Sequence, residues 1–209
     1  MTLRAPGPGV TSGVLLFLGA SSFGDRPDTR DSTAQVADYF TTNRASVFIG
    51  CVFFALGLLG LLAVTARIAT LIDAAGEASI GRLVQSAATV AAGFMLVAIV
   101  LIDAALSYVI GDEVPDMAKG LFELTLVATP IVALVLAALV GATALGLARM
   151  GIGQRWFTIL SIVIAVLFSV SAISFARSGP FSPDVQQQLM LTSLVVWLVL
   201  SGRGTRRRA

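Results

Sequence analysis

The chain has 209 residues, 56% hydrophobic and only 12% charged, with a mean hydropathy of +0.91. Soluble domains carry roughly 25% charged residues, so this composition excludes an ordinary water-soluble globule. With a formal charge of +2, no histidine and one cysteine, the sequence also excludes a basic nucleic-acid surface, imidazole chemistry, an intrachain disulfide and Cys-based zinc or iron–sulfur sites.

Five windows contain no charged side chain at all: residues 45–66, 83–102, 124–148, 156–176 and 185–202. A helix crossing the ~30 Å hydrocarbon core needs about 20 such residues, because it rises only 1.5 Å per residue. The expected fold is therefore all-α, a polytopic transmembrane bundle forming one membrane domain over residues 1–209. Its spans fall at about 10–24, 45–66, 83–110, 121–148, 156–176 and 185–201.

The first segment admits two readings. Arg4, a short apolar centre and small residues at 19–22 fit a cleavable signal peptide, which would leave five spans. A retained first helix is preferred, because residues 5–24 form an uncharged window and a sixth span suits the charge-biased tail. Residues 25–44 make the longest polar connection. There Ser32 or Thr33 can cap a short extracytoplasmic surface helix at about 32–43, with Val36, Tyr39 and Phe40 on its apolar side at headgroup depth.

Cys51 sits inside the second apolar window and behaves as a small hydrophobe. Residues 67–82 read as a helical, amphipathic connection, with Ile68, Leu71, Ile72 and Ala75 against Arg67, Asp73 and Glu77. The third span does not stop at Asp103, since 104–110 continues it. Residues 111–120 form an acidic loop in which Asp112, Glu113 and Asp116 read as a solvated cluster rather than a cation site. The fourth span contains Pro130, expected to kink it, with Thr125 and Thr129 placed to soften the lost hydrogen bond, and Thr125, Thr129 and Thr143 share one of its faces below Glu123. The short, Gly-rich 150–155 connection makes the fourth and fifth helices antiparallel neighbours. Gln186, Gln187 and Gln188 weaken the start of the sixth.

Basic residues set the orientation. With both termini cytoplasmic, the inside carries Arg4, Arg67, Arg82, Arg149, Arg155, Arg203, Arg206, Arg207 and Arg208, against Arg26, Arg30, Arg44, Lys119 and Arg177 outside. Small residues at four-residue spacing supply contact ridges: Ala133, Ala137 and Gly141, and Ala138, Ala142 and Gly146, on the fourth span; Ser161, Ala165 and Ser169 on the fifth; and Ala87 with Ala91 on the third.

Advancing 100° per residue from Asp103 puts Gln85, Thr89 and Ser107 within 40° of it. This polar line should face the bundle interior, because an intramembrane Asp costs about 2.5–3.5 kcal/mol. Asp103 and Glu123, across a short hairpin, are the candidate chemical pair. Two close carboxylates push their pKa values apart and can act as acid and base. The blander alternative leaves Asp103 hydrated near the outer surface or bonded to Ser107 or a neighbouring helix, and pairs Glu123 with Lys119.

Residues 31–44, DSTAQVADYFTTNR, followed directly by an apolar span, resemble bacterial multi-pass membrane proteins of unknown function. These share a Ser/Thr-Ala-x-x-Val-x-x-Tyr/Phe-Phe helix and then Asn-Arg before the second span. VGATALGLAR at 140–149, with a short turn to Trp156, is similar too. The resemblance covers most of the chain and implies six helices, with no assigned activity, cofactor or catalytic residue.

Three functions follow as expectations. The first is a non-enzymatic assembly partner or small transporter-like bundle in the bacterial plasma membrane. The second is an intramembrane enzyme on a lipid or isoprenoid using Asp103 and Glu123, and the third a proton or cation conduit along the Gln85–Asp103 line. The implied partners are the lipid bilayer and a membrane protein or second copy; no nucleic acid and no cofactor is implied.

Overall fold

The computed structural model describes residues 7–28, 30–110, 115–151, 154–173 and 182–205. Among them the fold is helical, without a strand. The elements are α1 (Pro8–Ser22), α2 (Thr33–Thr42), α3 (Arg44–Ala74), α4 (Ala78–Tyr108), α5 (Pro115–Met150), α6 (Arg155–Ser171) and α7 (Pro183–Gly204).

Four of these, α3, α4, α5 and α7, are long and apolar enough to cross a membrane. The expectation of six full-length spans is met only for those four. α1 has 15 residues and α6 has 17. At 1.5 Å per residue they reach about 23 and 26 Å, short of the ~30 Å core. α1 is bounded by Pro8 at its start and by Gly24, whose φ of +60° turns the chain away. The long helices instead overshoot the uncharged windows. α3 runs on to Ala74 and turns at Gly76 (φ +93°), so the 67–82 connection is mostly helix. α5 starts at Pro115, where a missing N–H costs nothing, so the expected 111–120 loop is shorter than its sequence implied.

Successive helices pack antiparallel around one core. Ser12 on α1 meets Gly60 on α3, and Gly19 meets Gly50 and Phe54. Gly81 of α4 lies against Ala69, and Gly146 of α5 against Ile72 and Ile80. Trp197 of α7 donates to Ser161 of α6 at 3.0 Å and stacks on Phe157. The ring closes where Gly13 touches Val195 and Val199, which sets Gly9 beside Ser201, so α1 begins where α7 ends.

Between helices in lipid, close packing substitutes for hydrophobic burial, and small residues permit it. The α1–α3 seam is one such instance. Ser12 Oγ donates to the Gly57 carbonyl at 2.8 Å. A Cβ on Gly19 would stand 2.8 Å from the Phe54 nitrogen and 2.9 Å from the Gly50 oxygen, both backbone atoms that cannot move aside. Of the expected ridges, Ala133, Ala137, Ala142 and Gly146 are buried and a Cβ on Gly141 would stand 3.8 Å from that of Ala165, but Ala138 is exposed.

Pro130 lies inside continuous α5. The hydroxyls expected to soften its missing bond go elsewhere. Thr125 donates to the Phe122 carbonyl and Thr129 to that of Thr125, leaving the Leu126 carbonyl that Pro130 cannot serve.

Gly19→Ala should destabilise the protein by about 1–3 kcal/mol, the range for overpacking a tight contact. Gly93→Ala, with open space around its Cβ, should not. Melting temperatures of the two variants in detergent provide the check.

Candidate functional site

The site is assembled at the end of the bundle where α1 gives way to α2. The N–H groups of Phe23 and Gly24 close α1 on the Ala20 and Ser21 carbonyls. Gly24 then reverses the chain, and Pro27 stiffens the stretch that carries Arg26 inward. A turn follows, in which the Arg30 N–H donates to Asp28 Oδ1 and the Asp28 N–H to Asp31 Oδ2. Ser32 opens α2 as its N-cap, with Gln35 completing a reciprocal capping box.

The apolar side of α2, expected at headgroup depth, packs against the protein. Val36 and Phe40 are fully buried, and Phe40 meets Phe122 of α5 edge-on at 6.1 Å. The Tyr39 hydroxyl donates to the Phe23 carbonyl. Burial pushes that phenol up to about 12, against the lowering influence of nearby Arg26, so it stays a proton donor throughout the physiological range. Lys119 Nζ donates to the Asp31 carbonyl at 2.9 Å and ties the loop to α5 from the other side.

Under this cap lies the pair on which the site is built. Arg26 Nη2 donates to both carboxylate oxygens of Asp103, at 2.9 and 2.8 Å. The Asp103 side chain has no exposed surface and that of Arg26 only 18%. The guanidinium carbon stands 4.9 Å from the centre of the Phe23 ring and 5.6 Å from that of Phe122. The cation is thus held between two aromatic faces while it neutralises the acid. Ser107 Oγ donates to the Asp103 backbone carbonyl, not to the carboxylate.

The backbone of α4 explains why Asp103 points here. Ala91, Met95, Ile99, Asp103 and Ser107 are all buried at four-residue spacing. In a regular helix each such step drifts about 40°, so Ser107 would stand about 160° from Ala91. α4 widens into π-helical turns at Leu96–Leu101 and Leu106–Ile110, and these absorb the drift. The polar line drawn at a constant 100° therefore divides. Asp103 and Ser107 are buried, Thr89 is exposed and bonds only to the Gln85 carbonyl, and Gln85 is half-buried with Oε1 unpartnered.

The acidic pair expected of Asp103 and Glu123 is not assembled. Glu123 is exposed and lies 3.8 Å from Lys119, while Asp103 spends both oxygens on Arg26. Arg26 had counted only as a basic flank. Its signal lay in topology, since the turn after the first helix and Asp103 near the end of the third fall at the same end of an up-and-down bundle. Asp112 and Glu113 lie outside the described residues, as does the side chain of Asp116. Thr125, Thr129 and Thr143 are buried on one face, as their spacing implied.

Beside the pair opens a cavity of about 270 Å³. Arg26, Asp25, Asp28, Gln187 and Gln188 form its polar part. Phe54, Met95, Ile99, Leu126, Met190 and Leu191 form an apolar floor from four helices. Gln186, next in line, is turned away into the α6–α7 contact, where it accepts from Ser171 at 2.6 Å. No family model, no curated protein and no solved structure matches this chain.

Replacing Arg26 by Met strands a buried carboxylate and should cost about 3–5 kcal/mol. Combining Arg26→Met with Asp103→Leu should recover most of that loss, because the isolated charge is then gone. Equilibrium unfolding of both variants in mixed detergent micelles measures the difference.

Proposed function

We propose that this chain is a non-enzymatic integral membrane protein of the bacterial plasma membrane, a small transporter-like bundle or assembly partner. It passes the bilayer six times with both termini in the cytoplasm. The observation that carries the reading is the Arg26–Asp103 pair. Asp103 is the only fully buried carboxylate among the described residues, and its two oxygens are occupied by one guanidinium. A general acid or base must be free to exchange its proton with a substrate. Asp103 is committed instead to holding the 23–43 segment over the bundle.

Several features support the topology. Helices alternate in direction, Gly9 adjoins Ser201, and basic residues concentrate at the end that holds Arg67, Arg82, Arg149 and Arg203. The short α1 and α6 fit a bilayer thinned locally by a few ångströms, at modest cost. The similarity of residues 31–44 and 140–149 to uncharacterised bacterial multi-pass proteins agrees with six helices. The enzymatic alternative loses its acid–base pair, since Glu123 is exposed and matched with Lys119. The conduit alternative loses its continuity at exposed Thr89.

Orientation is testable with single cysteines in a Cys51→Ala background, because Cys51 is the sole native cysteine. A membrane-impermeant maleimide should label exposed Thr42→Cys on intact cells, and Gly202→Cys only after lysis. The reverse pattern would overturn the topology. Proteoliposomes loaded with a pH-sensitive dye should show no proton entry beyond empty vesicles, whereas flux abolished by Asp103→Asn would restore the conduit.

A further inference from the structure

The cavity beside Arg26 has a chemical character that the membrane reading alone does not explain. Arg26 satisfies Asp103 through a single nitrogen, Nη2. Its Nε and Nη1 donate to no described residue, although Arg26 lines the cavity. A guanidinium carries five N–H donors in a fixed fork, so part of that fork remains available. The charge of Arg26 is nevertheless already balanced by Asp103. The cavity therefore offers strong hydrogen-bond donors without a surplus positive charge.

Its rim carries the opposite sign. Asp25 and Asp28 both line the opening, and Asp25 is exposed with no hydrogen bond or ion pair to a described residue. Gln187 and Gln188 add amide donors and acceptors, and the floor is apolar. Donors at one side, carboxylates at the other and an apolar base describe a receptor for a molecule with all three complements. At about 270 Å³ the volume is just under the usual ~300–1,000 Å³ of ligand pockets, so it takes a headgroup and the start of one chain, not a whole lipid.

We infer that this cavity binds a zwitterionic, amine-bearing phospholipid from the surrounding bilayer. Its phosphate sits on the free N–H groups of Arg26 and its ammonium faces Asp25 and Asp28. The first carbons of one acyl chain lie against Met95, Ile99 and Leu191. An anionic phospholipid of the same chain length is excluded by the two rim carboxylates, for which it has no cation to offer. The inference rests on the membrane reading above and deepens it by naming the class of ligand.

The test is native mass spectrometry of the full chain in detergent, titrated separately with phosphatidylethanolamine and phosphatidylglycerol of identical acyl chains. Phosphatidylethanolamine should form a one-to-one adduct at least about tenfold tighter, the worth of a charge-assisted contact. Asp25→Asn, an exposed change that leaves the fold alone, should narrow that gap to within about threefold. Ala20→Phe, which fills the cavity from α1 without touching the ion pair, should weaken the adduct by about tenfold at an unchanged melting temperature.

Equal retention of the two lipids by the native protein would overturn the inference, as would unchanged selectivity in Asp25→Asn. So would an Ala20→Phe protein that keeps its adduct, since the lipid would then be peripheral. Selectivity lost while the cysteine map stays as expected defeats this inference alone. A reversed map with selectivity intact defeats the orientation alone.

Discussion

A carboxylate sealed from solvent on a long apolar helix must be neutralised, and that requirement organises one end of this protein. Asp103 lies on the long apolar helix α4, directly after its uncharged run 83–102, and is sealed from solvent. Its desolvation would cost several kcal/mol if left uncompensated. Arg26 compensates it with two hydrogen bonds from one nitrogen, at a point where Phe23 and Phe122 exclude water from both sides. The pair is favourable only because the surrounding contacts hold it in register. Those contacts are what the 23–43 segment supplies.

That segment acts as a cap fastened at several points. Tyr39 is bonded back to the last turn of α1, Lys119 reaches the Asp31 carbonyl, and Phe40 rests on Phe122. Two of these contacts reach α5, the third folds the cap back onto the end of α1, and the Arg26–Asp103 pair adds α4, so the cap draws the ends of α1, α4 and α5 together. The cavity is a by-product of the same geometry. It is the space left between the cap and the start of α7, where Gln187 and Gln188 stand in place of apolar side chains. At the opposite end the helices need no such device, because Gly81 lets α4 approach the α3 backbone, Gly146 admits the Ile72 and Ile80 side chains against α5, and Glu77 pairs with Arg149 at the surface.

The helical membrane character was legible because uncharged length is a direct physical requirement of the bilayer. The Ser32 cap, the burial of Cys51 and the common face of Thr125, Thr129 and Thr143 were legible for similarly local reasons. Helix ends were less so. Arg67 and Arg82 bound uncharged windows without bounding a helix, and α3 and α4 continue through them. The site was half visible. Asp103 stood out as a charge in an apolar segment, but its partner lies 77 residues away in a loop that gives no periodic signal. The π-helical turns of α4 also have no signature in residue type, so a constant 100° per residue joined Thr89 to a face it does not share.

The most direct measurement of the central claim is the spacing between the two side chains in a lipid bilayer. Magic-angle-spinning NMR with ¹⁵N-labelled arginine and ¹³C-labelled aspartate, using Arg26→Gln to assign the signal, reads nitrogen–carbon dipolar coupling through space. A strong coupling between the Arg26 guanidinium and the Asp103 carboxyl carbon is the expected result, given the 2.8 Å contact. An Asp103 carboxyl with no arginine nitrogen coupled to it would contradict the account, since the cap would then be held by something other than this pair.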